Sequence, residues 1–309
     1  MIAHDLEYPD FLSCFGTEQA CVSALFDARW PGGYSCPACS CRDYYLISTR
    51  RLPLYECASC GLQTSITAGT VMAGSRTPLT SWFHAMYLLS RSNGISALRL
   101  SESIHVSYKT AWLIAHKIRN AMSAADATVA LCGNIRVDRC HYGDSIYDDA
   151  RQPLLIGASL RDDEQPDYVK IKQPHPGHVD ESKRFIKPEG IRAFYETHTD
   201  STERPEIRLF FKTNPDLLQI IRQVNSWLNL TFNGIGAKHL QSYLNEFTFR
   251  INCIAREAAA FAETARWCAR TPVLTYPRLI APRPMLQPPW LIYGSRSRWK
   301  GKHMSRWGA

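Results

Sequence analysis

Apolar and polar positions follow two periods along this chain, and the changes of period divide it. From Glu18 to about Arg29, Ala20, Cys21, Ala24 and Leu25 share one helical face. Thr17 stands as the cap and Pro31-Gly32-Gly33 as the stop. Short strand-like pieces follow at Tyr44–Ile47, Leu54–Glu56 and Gln63–Ile66, then a helical block from Leu79 to Met122. From Leu131 the pattern is α/β, with strands expected at Asn134–Asp138, Leu154–Leu160 and Tyr168–Lys172. Helical spacing returns at Pro215–Leu228 and from Ala237 to about Cys268. In that last helix Leu240, Tyr243, Leu244, Phe247, Ile251 and Ile254 form the stripe. Six prolines after Thr271 (Pro272, Pro277, Pro282, Pro284, Pro288 and Pro289) exclude a continuous helix there. No internal repeat is present.

Length and composition narrow the class. A chain of 309 residues allows about two domains. With 45% hydrophobic and 21% charged residues, it can bury a core and is neither disordered nor a coiled coil. No apolar run reaches the ~18 residues that span a bilayer. The first ten residues lack the charged and apolar regions of a secretory signal, so a cytoplasmic, reducing setting is expected, with no membrane partner. Charge is uneven. From Thr264 to Ala309 the chain carries Arg266, Arg270, Arg278, Arg283, Arg296, Arg298, Lys300, Lys302 and Arg306 without one acid, whereas the whole chain is only +8. Such a tail reads either as a polyanion-binding arm or as a solubilising end; the interleaved Trp290, Tyr293, Trp299 and Trp307 favour nucleic acid.

The cysteines carry the sharpest chemistry. Eleven are spread over a long chain, but Cys36-Pro-Ala-Cys39 and Cys57-Ala-Ser-Cys60 form two tight pairs seventeen residues apart. Each pair can aim two thiolates at one ion, and four thiolates close a tetrahedral shell around Zn²⁺ with no open position. The site is therefore expected to be structural, supplying folding energy to a segment with little core of its own. Cys41 reads as a bystander. His175 and His178, flanked by Pro174, Pro176 and Gly177, read as a solvated loop, and Cys132, Cys140 and His141 as structural.

A helix-turn-helix is expected at Ile95–Ser103, Ile104–Ser107 and Tyr108–Met122. Ser107 would cap the second helix, and Ala111, Ile114, Ala115 and Ile118 would form its inner face. Tyr108, Lys109, Lys117 and Arg119 would then face a DNA groove and its phosphates. The same pattern also fits a plain helical hairpin within a bundle.

Taken in order, these motifs resemble a known family. Thr17-Glu-Gln-Ala-Cys21, Arg29-Trp-Pro-Gly-Gly33, the two cysteine pairs, Ala68-Gly-Thr70, Ser81-Trp-Phe-His-Ala85 and Lys109-Thr-Ala-Trp112 come first. Gly133-Asn-Ile-Arg-Val-Asp138 and Ala237-Lys-His-Leu-Gln-Ser-Tyr-Leu-Asn-Glu-Phe-Thr-Phe-Arg250 follow. The set is similar to bacterial insertion-sequence transposases of the ISXO type, which join an N-terminal zinc ribbon to an RNase H-like domain. The resemblance covers roughly residues 10–160 and 213–255. It implies double-stranded DNA (element ends) as partner, a homo-oligomer on that DNA, and a bacterial cytoplasm. It also implies strand cleavage and transfer by three acids holding two Mg²⁺, one metal activating the attacking oxygen and the other stabilising the leaving one. The first acid falls on Asp138; Asp200 and Asp216 are the nearest matches to the second and third. The sequence departs from the family pattern at Arg139, where Glu is usual, at Ser201, where Gly is usual, and at Leu217 or Leu218, where the helical Glu is expected.

The expected architecture is α+β and multidomain: helix plus zinc ribbon over 1–75, a helix-turn-helix block over 76–128, a shortened RNase H-like α/β domain over 129–268, and a basic Pro-rich tail over 269–309. Asp138 reads either as a metal ligand or as a remnant paired with Arg136 or Arg139. The functional alternatives are correspondingly an Mg²⁺-dependent transposase, a catalytically inactive derivative acting as a DNA-binding or regulatory module, and a zinc-ribbon interaction factor without a DNA role.

Overall fold

The computed structural model describes residues 6–143, 151–180, 185–200 and 215–286. The tail beyond 286, with its four aromatic residues, lies outside the described residues, as does Lys212-Thr-Asn214. Two compact units are present: one holds the described residues up to 124 together with 258–280, the other those of 125–257 and 281–286.

The first unit opens with α1 (Tyr8–Phe15), which the sequence reading did not anticipate; Pro9 suits its first turn, and it buries Phe11 and Phe15. In α2 (Glu18–Arg29) the Thr17 hydroxyl accepts the Ala20 N–H, and Cys21, Val22 and Leu25 are buried. The ribbon is an antiparallel sheet in the order β1 (Tyr44–Ile47), β2 (Leu54–Cys57) and β3 (Gln63–Ser65). Three helices follow: α3 (Leu79–Ser90), α4 (Ala97–Ser103) and α5 (Tyr108–Ala127). Ser96 caps α4 by accepting the Arg99 N–H, and Ser107 caps α5 by accepting that of Thr110.

The second unit is built on an antiparallel meander, β4 (Asn134–Tyr142), β5 (Gln152–Leu160) and β6 (Pro166–Lys172), in that spatial order. The central strand β5 is buried on both faces, which explains its unbroken apolar run. Gly157 is required there, because a Cβ at that position would come within 2.6 Å of the Phe194 ring. That ring belongs to α6 (Pro188–His198), which follows a short hairpin of β7 (Val179–Asp180) and β8 (Phe185–Ile186). Leu131 donates to the His198 carbonyl and accepts from the Asp200 N–H, forming an isolated parallel bridge with Thr199.

On the opposite face of the sheet lie α7 (Pro215–Phe232) and α8 (Ala237–Ala255), packed on Leu154, Ile156, Ala158, Val169 and Ile171. Helix α8 also closes the free edge of β6. The Asn252 amide accepts from Val169 N–H and donates to its carbonyl, while Gln241 donates to Ile171 O and accepts from Gln173 N–H. Side-chain amides thus substitute for the missing neighbour strand.

The single helix expected from Ala237 to about Cys268 is two. After α8 the chain turns through Glu257 at φ 51°, and α9 (Ala260–Arg270) belongs to the first unit, as does α10 (Tyr276–Ile280). There α9 packs on α2 and α3, with Phe261 edge-on to Phe15 at 5.2 Å and Val71 donating to the Cys268 carbonyl. The break falls at Glu257, where the chain passes from the second unit to the first.

Candidate metal centre

The ribbon positions its cysteines by two equivalent turns. The carbonyl of Cys36 accepts the Ser40 N–H and that of Cys57 the Gly61 N–H, four residues on in both cases. The N–H of Cys36 then donates to Cys41 O, and that of Cys57 to Leu62 O. Each turn needs a left-handed residue at its fourth step, supplied by Ser40 at φ 61° and Gly61 at φ 71°. The short strands bring the two turns face to face.

The outcome is a sulfur quartet. One Sγ each from Cys36, Cys39, Cys57 and Cys60 lies within 4.8 Å of the other three. The Cys36–Cys60 and Cys39–Cys57 separations are 3.6 and 3.5 Å. A tetrahedral shell with Zn–S bonds of about 2.3 Å needs sulfurs ~3.8 Å apart, so the donor set and its spacing both fit Zn²⁺. Backbone donors favour the thiolate at Cys57 and Cys36. At Cys39 and Cys60 the backbone donors are outweighed by hydrogen bonds with neighbouring thiols, and those two are pushed up. Cys57 is drawn down to about 6, first by the Cys60 N–H, against the opposing effect of burial. In Cys36 burial is likewise opposed, and the N–H groups of Cys39 and Ala38 leave its thiol below the ordinary value. Four thiolates leave no coordination position open, so zinc here would supply folding energy rather than a reactive ligand. Cys41 is not a member, as expected; its sulfur contacts the Asp43 carbonyl.

Around the quartet stands an aromatic wall that the spacing argument did not reveal. Phe26, Trp30, Tyr34, Tyr44 and Tyr55 meet with ring centroids 4.9–6.2 Å apart. Arg29 lies 4.3 Å from the Trp30 ring and donates to the carbonyls of Ser65 and Ile66, so the last turn of α2 is pinned to the end of β3. The signal was present in Arg29-Trp-Pro-Gly-Gly33, where two planar side chains precede a forced turn.

The expected DNA-facing residues separate into two pairs. Tyr108 and Lys109 are exposed in the first turn of α5. Lys117 and Arg119 are buried, at 9% and 1% exposure, which corrects the outward orientation expected for them. Every residue from Ile114 to Arg119 is buried, so this stretch of α5 is enclosed on all sides rather than lying along a surface. Lys117 sits 5.8 Å from the Trp82 ring, and burial lowers its pKa.

The three aspartates are not brought together. Asp138 lies mid-strand in β4, opposite Ile156 and on the face covered by α7, with its carboxylate 3.3 Å from Arg136 Nε. Asp216 opens α7 but accepts from Gln165 in the β5–β6 turn, while Asn225 and Asn229 further along α7 reach His141 O and Tyr142 Oη. At ~3.3 Å per strand residue and ~1.5 Å per helix residue, the part of α7 level with Asp138 is near Ile220–Ile221, about a turn beyond Asp216. Leu217 is fully buried in the core. Asp200 is exposed beside the Leu131 bridge, which lies before β4 and seven residues ahead of Asp138 in the chain. Among the described residues, the cysteine quartet is the one group of three or more His, Cys, Asp or Glu placed to share an ion, and none of these acids belongs to it.

Residues 16–63 match the family model of the transposase zinc-ribbon domain, of the IS1595 family. Comparison with curated proteins and with solved structures gave no match. The ribbon match supports a transposase-like insertion-sequence protein with a structural zinc site, and the transposase ribbon family suggests DNA binding. Among the described residues no helix is long and apolar enough to cross a membrane.

Proposed function

We propose that this protein binds double-stranded DNA at the ends of an insertion sequence, as a homo-oligomer, with the zinc ribbon and the exposed start of α5 as its contact surface. The ribbon match over residues 16–63 carries this reading. Tyr108 and Lys109 are exposed at a helix N-terminus, where phosphate contacts are favoured. In the fuller form of the reading, an RNase H-like domain performs Mg²⁺-dependent cleavage and transfer around Asp138. Its support is an antiparallel meander with the acid on the first strand, followed by a helix and a parallel bridge from Thr199 to Leu131, just ahead of that strand.

A second reading, a catalytically inactive derivative acting as a DNA-binding or regulatory module, has an observation of its own. The helical Glu is replaced by Leu at both candidate positions, Leu217 buried in the core and Leu218 exposed, and the Asp138 carboxylate is engaged by Arg136. Gel-shift assays on element-end duplexes test the common part, and a steep loss of affinity with salt is expected. Stripped protein that binds those duplexes as well as the zinc form would overturn the ribbon's role. Strand-cleavage assays in Mg²⁺ or Mn²⁺ separate the two readings: activity lost in Asp138→Asn supports the first, and its absence from wild type supports the second.

A further inference from the structure

The second unit contains a pocket of about 330 Å³, at the small end of the range for ligand sites. It lies where β5 begins and β6 ends, against the first turn of α8 and the segment around Arg283. No Asp or Glu lines it; Lys238, Arg283 and His175 do, together with the amides of Gln152, Gln173 and Gln241. Two of those amides have structural work, since Gln173 and Gln241 tie β6 to α8. Gln152 is different. It is only 3% exposed, yet its side-chain amide makes no hydrogen bond among the described residues, and it faces the pocket. What exposure its amide keeps is to the pocket, so water or a ligand there completes its hydrogen bonding. His175 uses Nδ1 to accept the Gly177 N–H, which leaves Nε2 for a donor role.

We infer that this pocket takes a nucleoside monophosphate unit, with the phosphate against Lys238 and Arg283 and the base edge against Gln152. A guanidinium and an ammonium are the side chains that recognise phosphate oxygens, and the first turn of α8 adds its positive end. A glutamine amide offers one donor face and one acceptor face, which pair with a base edge. Prolines and Met285 supply apolar walls for the ring. The unit can come from a free nucleotide or from the terminal residue of a DNA strand, and the inference does not depend on the duplex-binding reading.

The test is calorimetry on the full zinc-loaded chain. Probes are the four deoxynucleoside monophosphates, inorganic phosphate, deoxyadenosine, and a short single strand with and without a 5′-phosphate. Saturable monophosphate binding tighter than phosphate or nucleoside alone is expected. The double variant Lys238→Gln/Arg283→Gln should weaken it by about tenfold or more. Gln152→Leu should flatten the preference among bases while leaving phosphate affinity in place. Circular dichroism confirms that the variants are folded. No saturable monophosphate binding, binding of inorganic phosphate alone, or equal affinity in folded variants overturns the inference. A 5′-phosphate effect on the strand identifies a DNA end as the source, and its absence identifies a free nucleotide. Protein that shifts duplex DNA but ignores monophosphates refutes the pocket alone; the reverse refutes only the duplex reading.

Discussion

In the ribbon, four thiol groups are gathered within 4.8 Å of one another in an arrangement that suits a metal cation. Among the described residues of the second unit, the acids that are withdrawn from water are each matched by a cation of the protein itself. Asp126, 4% exposed, lies 3.3 Å from Lys170 Nζ and is also paired with Lys172. Glu246 is fully buried against Arg250, whose guanidinium stacks 4.4 Å from Trp227, and Asp138 has Arg136. The difference teaches how to read candidate ligands. Donors held close by backbone turns invite an ion; donors neutralised one by one by Lys and Arg already have theirs.

The largest effect should come from breaking the ribbon. Removing zinc with a chelator, or substituting Cys57→Ser, should unfold residues 16–63, since structural zinc sites contribute on the order of 10 kcal/mol. Metal analysis should give one zinc per chain in wild type and a loss in the variant, with duplex binding abolished. A fold and zinc content unchanged by Cys57→Ser would end the comparison.

Next in size is the ion cluster of the second unit. Asp126→Ala should cost about 3–5 kcal/mol in denaturant melts, because it leaves the buried Lys170 and the partly buried Lys172 without their acid. Adding Lys170→Met should recover part of that loss, as a buried charge is removed along with its partner. Failure of the second change to help would show that Asp126 acts by packing alone.

A smaller and signed pair of effects probes the two knuckle turns. Gly61→Ala should destabilise the ribbon by about 1 kcal/mol through backbone strain alone, since its Cβ would meet nothing within 4 Å. Ser40→Gly, at the equivalent step, should stabilise by roughly 0.5–1 kcal/mol. Zinc-competition titrations read both; the same sign in the two would refute the equivalence of the turns.

The smallest effect is expected at Asp138. Its ion pair is partly exposed, so Asp138→Asn should shift stability by under about 1 kcal/mol. On the catalytically inactive reading, millimolar Mg²⁺ should leave the melting temperature of the second unit unchanged. A clear rise, lost in Asp138→Asn, would place a metal at that carboxylate and overturn the contrast drawn above.

Much of this molecule was readable from local pattern. The cap at Thr17, the limits of α2, the first ribbon strand, the starts of β4 and α7, and the four metal-directed cysteines all depend on neighbours within a few turns of chain. Spacing and turn chemistry are enough for these. The misreadings share one cause. Lys117 and Arg119 look solvent-facing because they are charged, yet α5 is buried all round at that level, which no periodicity records. The helix drawn through Glu257 ends at a left-handed residue, and beyond it Phe261 packs among Phe11, Phe15 and Phe83 of the first unit, a partnership that local spacing does not record.

Sequence alone therefore pointed to the four metal-directed cysteines, the ribbon and meander strands and the cation-rich character of the far end, because each is a property of residue type at short range. Tertiary structure decided which acids keep company with which cations, how α8 closes the edge of β6, and that Gln152 ends unpaired in a cavity. Those outcomes depend on segments distant along the chain meeting in space, where the cost of burying a polar group is fixed by whatever happens to face it.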